Sequence, residues 1–317
     1  MKVLVTGGCG FIGAGLVRRL VGNGHAVTVY DNLSRGMTEL LDGVEHGFVR
    51  GDIRELDGMA DAMAGHEAVV HLAAYGSVVE SIDDPLTNFD INARGTLVAL
   101  EAARQAGVER FVMASTGGAI VGDAEPPVNE QSLPSPKAPY GASKMAGEGY
   151  CRCYGRSMGV HTVMLRFANV YGPFSAHKKG AITAFSRCIM TGEPIVIFGD
   201  GSATRDFIYV DDLCKGIELG MTSDVAAGEV FHLATGRETS VAELARLLCA
   251  AAGAGDHPIV HHPERPGEIY RNFARYDKAK SVMGFEPEVG LEDGLRRTWD
   301  WFDARREAVL SAVLTDS

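Results

Sequence analysis

Tyr140 and Lys144 stand four residues apart in the stretch PYGASKMAGE, residues 139–148. On a helix, positions i and i+4 share a face, so both polar heads can reach one point. A phenol near pKa 10 is a poor base at neutral pH, but a neighbouring ammonium favours the phenolate and lowers that value. The pair is then a general base suited to taking the proton of a substrate hydroxyl. A third member is expected from the segment Ala114-Ser115-Thr116-Gly117-Gly118, where a hydroxyl could share that proton. Thr116 is the first choice there and Ser115 the second. The spacing alone is common, and its weight comes from what precedes it.

What precedes it is a nucleotide-binding pattern. Lys2 to Thr6 is a short apolar, β-branched run of the kind buried on both faces of a sheet. Gly7, Gly10 and Gly13 follow at intervals of three, in TGGCGFIG. Glycine lets backbone approach a ligand closely, and the N–H groups opening the next helix suit a pyrophosphate. An amphipathic helix (Ala14 to Asn23) and a second strand (Ala26 to Tyr30) lead to Asp31, whose carboxylate would accept the ribose hydroxyls of adenosine and repel a 2′-phosphate. The expected cofactor is NAD rather than NADP. Its oxidised, positively charged ring would further favour the Tyr140 phenolate, and Lys144 would hold the nicotinamide ribose.

Strand and helix signals alternate through the first half of the chain. Strands are expected near Phe48–Arg50, Ala68–Leu72 and Arg110–Ala114, with helices around Leu56–Ala64 and, at length, about Asp84–Ala106. That period predicts βαβ units and a Rossmann-like, doubly wound parallel sheet, with ligands at the carboxyl ends of its strands. From about Tyr171 the pattern loosens into a smaller α+β unit. It holds a helix near Ile182–Met190, strands at Ile195–Phe198, Asp206–Val210 and Val230–Leu233, and a helix N-capped by Asp211. A helix at Val241–Ala252, a His/Pro-rich link and a closing helix packed by Trp299 and Trp301 complete it. Residues 1–170 are thus expected to bind NAD, with returns near 205–235, and residues 171–317 mostly to bind substrate.

Composition narrows the partners. The chain has 317 residues, 46% hydrophobic and 22% charged, which is ordinary for a globular protein with an ample core. A net charge of −11 argues against nucleic acid, which needs a basic face. Nothing approaches 18 unbroken apolar residues, so no membrane span is expected, and the loop glycines interrupt any leader-like apolar segment. The six dispersed cysteines read as reduced, mostly buried thiols of a cytoplasmic protein. His261 and His262 lack a carboxylate or cysteine set at metal spacing, so no metal is assigned.

The combined motifs resemble the extended short-chain dehydrogenase/reductase family, specifically its nucleotide-sugar epimerases. They include TGGCGFIG, DNLS from Asp31, GDI from Gly51, HLAA from His71, NARGT from Asn92, YGASK, RFANVYGP, RDFIYVDD from Arg205, and RPGE from Arg265. The resemblance implies a UDP-sugar substrate of the glucose/galactose type, and a homodimer built on the two helices Asp84–Ala106 and Tyr140–Met158. It implies that Gly7, Gly10, Phe11, Ile12 and Gly13 hold the pyrophosphate, that Asp31, Asn32, Ser34 and Gly36 lie at the adenosine ribose, and that Asp52 and Ile53 contact adenine. Leu72, Ala73, Ala74 and Asn92 would line the cofactor cleft. Ser115, Thr116 and Asn169 would meet the substrate, Val196 and Phe198 would flank uracil, and Arg205 and Arg265, with Glu268, would take the diphosphate end. Arginine suits that last task because its planar fork bonds phosphate bidentately. His71 reads as structural.

Departures from the family pattern help choose the reaction. The resemblance implies an Asp-Glu pair after the catalytic Thr in 4,6-dehydratases and a Glu there in decarboxylases, whereas this chain has Gly117 and Gly118. Elimination and decarboxylation therefore lack their residues, and 4-epimerisation through a transient 4-keto sugar is expected. Epimerases of this kind usually carry a further hydroxyl at the place of Gly117, and a tyrosine at the place of Val121. The stretch Phe174-Ser-Ala-His177-Lys178-Lys179 is unusually basic; it reads either as a solvated loop or as a cation set for a sugar carboxylate, as in a uronic acid. UDP-glucuronate and UDP-N-acetylhexosamines are the alternative substrates. A non-catalytic NAD- or nucleotide-sugar-binding regulator is the alternative of a different class, and the intact Tyr140/Lys144 pair weighs against it.

Overall fold

The structure, a computed structural model, describes residues 1–224, 228–264 and 270–311. Its first half alternates strand and helix: β1 (Lys2–Thr6), α1 (Phe11–Gly22), β2 (Ala26–Asp31), β3 (Gly47–Arg50), α2 (Leu56–Met63) and β4 (Ala68–His71). It continues with α3 (Val78–Asp83), α4 (Pro85–Phe89), α5 (Gly95–Gln105), β5 (Arg110–Thr116), α6 (Gly118–Val121), α7 (Pro139–Ser157) and β6 (His161–Phe167). Seven parallel strands lie in the order β3-β2-β1-β4-β5-β6-β11, the last being Val230–Leu233. This is a Rossmann-like doubly wound sheet, and the strand order reverses between β1 and β4. Both faces are apolar. Val3, Val5, Leu16, Val70 and Leu213 fill one core layer, and Leu4, Val69, Leu100, Phe111 and Met164 fill the other.

The remaining elements are β7 (Asn169–Tyr171), α8 (Ala181–Thr191), β8 (Ile195–Phe198), β9 (Thr204–Arg205), β10 (Phe207–Tyr209) and α9 (Val210–Thr222), followed by β11. After it come β12 (Thr239–Ser240), α10 (Val241–Ala251), β13 (Ile259–His262), β14 (Arg271–Asn272), α11 (Asp277–Met283), α12 (Leu291–Asp303) and α13 (Arg306–Ser311). Their own core gathers Ile182, Phe185, Ile195, Ile197, Leu244, Leu248 and Leu295. Helix α9 packs on α1 and β11 pairs with β6, so the chain returns to the large sheet before it closes.

Several local expectations are corrected. The long helix expected from about Asp84 to Ala106 forms as one continuous run, refined by a π turn at Asp90–Arg94 between α4 and α5. Asp84 itself precedes Pro85, which disfavours helical backbone, and its side chain accepts from Thr87 N at 3.1 Å as the cap. The strand expected over Asp206–Val210 is β10, one residue shorter at each end, with β9 a separate short strand just before it. Asp206 turns inward between them, accepting from Thr235 Oγ1 at 2.7 Å and from Gly236 N at 3.0 Å. Asp211 is not the cap of α9: the helix begins at Val210, and Asp211 and Asp212 occupy its first turn, where carboxylates suit the helix dipole. The His/Pro-rich link contains β13, which pairs in parallel with β8.

Candidate active site

The turn from β1 into α1 is shaped by its glycines. Gly7 has φ +70°, and a Cβ there would stand 2.8 Å from Ala73 N in the loop after β4. A Cβ on Gly13 would come within 2.2 Å of Gly7 O, so only glycine lets α1 sit this close to β1. Helix α1 starts after Gly10 with no side-chain cap and no acidic residue in its first turn. The N–H groups of Phe11, Ile12 and Gly13 therefore face an uncapped end, which fits the pyrophosphate of NAD.

Asp31, at the end of β2, is mostly buried and steadies this turn. Its carboxylate accepts from Cys9 N at 3.0 Å and from Leu33 N at 2.9 Å. Gly36 lies against it, for a Cβ at Gly36 would be 3.1 Å from both carboxylate oxygens. Asn32 donates to Asp52 at 3.2 Å and accepts from Ser34 N at 3.0 Å, which brings three of the expected adenosine-side residues together. Arg54 holds the Asp52 carboxyl at about 2, mainly by hydrogen bonding. Ile53 packs against Gly95, and Leu72, Ala73 and Ala74 form the half-buried loop after β4. His71 lies beneath that loop, buried between Thr6 Oγ1 at 2.9 Å and Thr96 Oγ1 at 3.2 Å, and burial pushes its pKa down to about 3. It is neutral and structural.

Asn92 is placed differently from the expectation. It is 1% exposed in the π turn, with its amide bonded to Tyr75 N at 2.8 Å, Tyr75 O at 3.1 Å and Ser143 Oγ at 3.1 Å. Its amide ties the loop after β4 to α7 rather than lining the cleft, so its place is that of a positioning residue. The wide turn makes room for that reach.

Helix α7 carries Tyr140 and Lys144 one turn apart. Ser81 on α3 accepts from Tyr140 N at 3.2 Å and fixes the start of the helix. Lys144 is buried, and its Nζ donates to Ala114 O at 3.0 Å, beside the carboxyl end of β5. Tyr140 remains half-buried. The expected lowering of the Tyr140 pKa by Lys144 is corrected: burial raises the phenol to about 12 and lowers Lys144 to about 8. Both groups lose water, and loss of water disfavours whichever form is charged.

Thr116 and Ser115 have different fates. Ser115 is corrected as a substrate-facing residue: it is buried, and its hydroxyl donates to Glu148 Oε1 at 2.7 Å. Alternation along β5 leaves Thr116 half-buried on the opposite side, with no hydrogen bond to its hydroxyl among the described residues. Glu148 also accepts two bonds from Arg166, each 2.8 Å, forming a buried ion pair one turn beyond Lys144 on α7. A Cβ on Gly117 would face His232 Nδ1 at 3.1 Å, so a side chain there would point into the sheet. One on Gly118 would fall 1.7 Å from Asn272 Nδ2, because the Asn272 amide fills that space. Glu148, Arg166 and Asn272 were missed by the sequence reading. Glu148 stands inside a quoted motif, but nothing local marks its partners.

On the substrate side, Asn169 donates through its backbone and side chain to Asp206 O at 2.9 and 3.2 Å. Val196 and Phe198 occupy the more open face of β8 while Ile195 and Ile197 are buried, and Phe198 meets His262 edge-on at 5.9 Å. Arg205 Nη1 donates to Thr204 O at 2.7 Å. Arg265 and Glu268 lie outside the described residues.

Comparison with known proteins agrees with this geometry. Residues 3–234 match the NAD dependent epimerase/dehydratase family. A UDP-glucose 4-epimerase of Mycolicibacterium smegmatis is 38% identical over 95% of this chain and 98% of its own length. A dTDP-glucose 4,6-dehydratase of Streptomyces niveus is 36% identical over 96% of this chain and 94% of its own. A crystal structure of a Thermotoga maritima UDP-glucose 4-epimerase with UDP-glucose is similar at TM-score 0.91 and 38% identity, covering 96% of this chain and 100% of that one. With the uncapped pyrophosphate turn and the Tyr140/Lys144 pair on this sheet, the chain belongs to the NAD-dependent epimerase/dehydratase family of extended short-chain dehydrogenases/reductases.

Proposed function

We propose that the protein interconverts the C4 epimers of a UDP-hexose of the glucose/galactose type. The observation that carries this reading is the pair of glycines after Thr116, with the space at Gly118 filled by Asn272 rather than by an acid or base. Elimination across C5 and C6 needs such a pair, whereas epimerisation needs only a base at the C4 hydroxyl. NAD, when bound, accepts the C4 hydride and returns it. Tyr140 takes the proton of the 4-hydroxyl and later gives it back, which requires its phenol to lie near its own ionisation point at the moment of transfer. Lys144 keeps positive charge beside the carboxyl end of β5, and Thr116 offers a hydroxyl that can bond the same oxygen. Asn169, Val196, Phe198, Arg205 and Arg265 are assigned to the nucleotide and diphosphate. A firm grip at that end leaves the hexose free to turn and present its other face.

The same reading includes a homodimer. Val79, Ile82, Leu86 and Phe89 on α3 and α4 are 58 to 80% exposed, and Met145 and Tyr150 extend the apolar surface along α7. A patch of this kind on an otherwise charged protein suits a two-fold contact between copies.

The test is NMR of the purified protein with UDP-glucose, UDP-N-acetylglucosamine and UDP-glucuronate in turn. Appearance of UDP-galactose without net NADH supports the proposal. A galacto-configured product from one of the other two sugars alone would move the substrate. A 4-keto-6-deoxy product, or stoichiometric NADH, would overturn it.

A further inference from the structure

Between β7 and α8 the chain makes a tight turn held by its own bonds. Ser175 Oγ donates to Gly172 O at 2.6 Å, Lys178 N to Ser175 O at 2.9 Å, and Thr183 Oγ1 to Ser175 O at 3.1 Å. The turn is pinned between α1 and α12: the Phe174 ring lies 5.3 Å from the Arg18 guanidinium and 5.4 Å from the Trp301 ring. From this turn the Lys178 side chain reaches back. Its Nζ donates to Val170 O at 2.7 Å and lies 5.6 Å from the ring centre of Phe11, the first residue of α1.

The ammonium is short of counter-charge. Among the described residues no carboxylate pairs with Lys178, whereas its neighbour Lys179 is bonded to Glu80 at 3.2 Å. Lys178 is open to solvent, yet the surrounding walls desolvate its head and push its pKa down to about 8. Among the described residues its partners are a carbonyl and an aromatic ring, both beside the start of α1. The other cations near the pyrophosphate turn are committed. Arg18 bonds Leu40 O at 2.7 Å, Arg19 pairs with Glu218 at 2.6 Å, and Arg35 pairs with Glu80 at 2.6 Å.

We propose that Lys178 is a cofactor-binding residue whose ammonium meets the pyrophosphate of NAD across from the α1 N-terminus, so that the loop before α8 helps retain the cofactor. The pyrophosphate carries two negative charges, while a helix end supplies about half a positive one. A lysine is the matching partner, because a point charge on a flexible stem tolerates whichever phosphate oxygen is nearer. The assignment differs from a cation for a sugar carboxylate, and it holds for any hexose.

The test uses the full chain with Lys178→Met and Lys178→Arg. NAD that copurifies is counted, then the stripped proteins are titrated calorimetrically with NAD and, separately, with UDP and UDP-glucuronate. Lys178→Met is expected to bind NAD about 10 to 100-fold more weakly, the worth of one hydrogen bond to a charged group. Lys178→Arg should stay within about threefold of the parent, because the charge is kept. UDP affinity should not change, and circular dichroism melts check that the variants are folded. Should Lys178→Met misfold, the salt dependence of NAD binding is compared between the parent and Lys178→Arg, and no dependence overturns the proposal. Unchanged NAD affinity in a folded Lys178→Met overturns it. So does a loss confined to UDP or UDP-glucuronate, which would place Lys178 on the substrate side.

Discussion

Tyr140 has its water replaced by protein walls, and Lys144 beside it suffers the same loss, so burial opposes the charged form of each. The phenol of the NAD-free protein is therefore expected to titrate above its ordinary value of about 10 and to fall when oxidised NAD binds. Absorbance titration near 295 nm, as the difference between the parent and Tyr140→Phe, measures both states. Tyr140→Phe itself should lose about 10²- to 10⁴-fold in turnover, the usual contribution of a positioned general base. His71 provides a second test, this one of stability. Its folded pKa is about 3 against 6.5 for the free group, so only the unfolded chain takes up its proton in that window. Stability from this group is complete above about pH 6.5 and is lost as pH falls toward 3, at up to about 1.4 kcal/mol per pH unit. His71→Gln should flatten the slope of urea midpoints between pH 6.5 and 4.

The elements around the site are tied together by buried polar contacts rather than by apolar packing alone. Glu148 on α7, Arg166 on β6 and Ser115 on β5 form one such contact, with the ion-pair side chains 3 to 4% exposed. Removing one partner of a buried pair strands the other, at a cost of roughly 3 to 5 kcal/mol. Glu148→Gln should lower the denaturant midpoint accordingly, with its m-value unchanged. Because Glu148 stands one turn beyond Lys144 on α7 and ties that helix to β5 and β6, turnover should fall in the protein that remains folded. The Asn92 amide performs a similar service between the loop after β4 and α7.

At the scale of the whole molecule, the apolar surface of α3 and α4 adjoins α7, which carries Tyr140 and Lys144. A two-fold contact there would steady that helix from outside. Ile82→Asp with Leu86→Asp should convert a dimer into a 33.8 kDa monomer with its fold intact, as read by sedimentation equilibrium and circular dichroism. A parent protein that is already monomeric would remove the idea. Six unpaired cysteines, four of them buried, leave the fold without a covalent tie. Among the described residues no helix is long and apolar enough to cross a membrane.

Periodicity and local chemistry were enough to read the sheet, the glycine turn from β1 into α1, and the placing of Tyr140 and Lys144 one turn apart on a helix, because each depends on neighbours within a few residues or one helical turn. Strand Ile195–Phe198 was bounded correctly for the same reason, its alternation being local. The placement of Ser115 against Thr116, the π turn that carries Asn92, and the filling of the Gly118 space by Asn272 were decided only by tertiary structure. Ser115 and Glu148 are 33 residues apart, and Gly118 and Asn272 are further apart still. No window along the chain contains both members of either pair. The pKa of Tyr140 belongs to the same class: helical spacing brings an ammonium close, but burial, which only the assembled fold supplies, decides the sign of the shift.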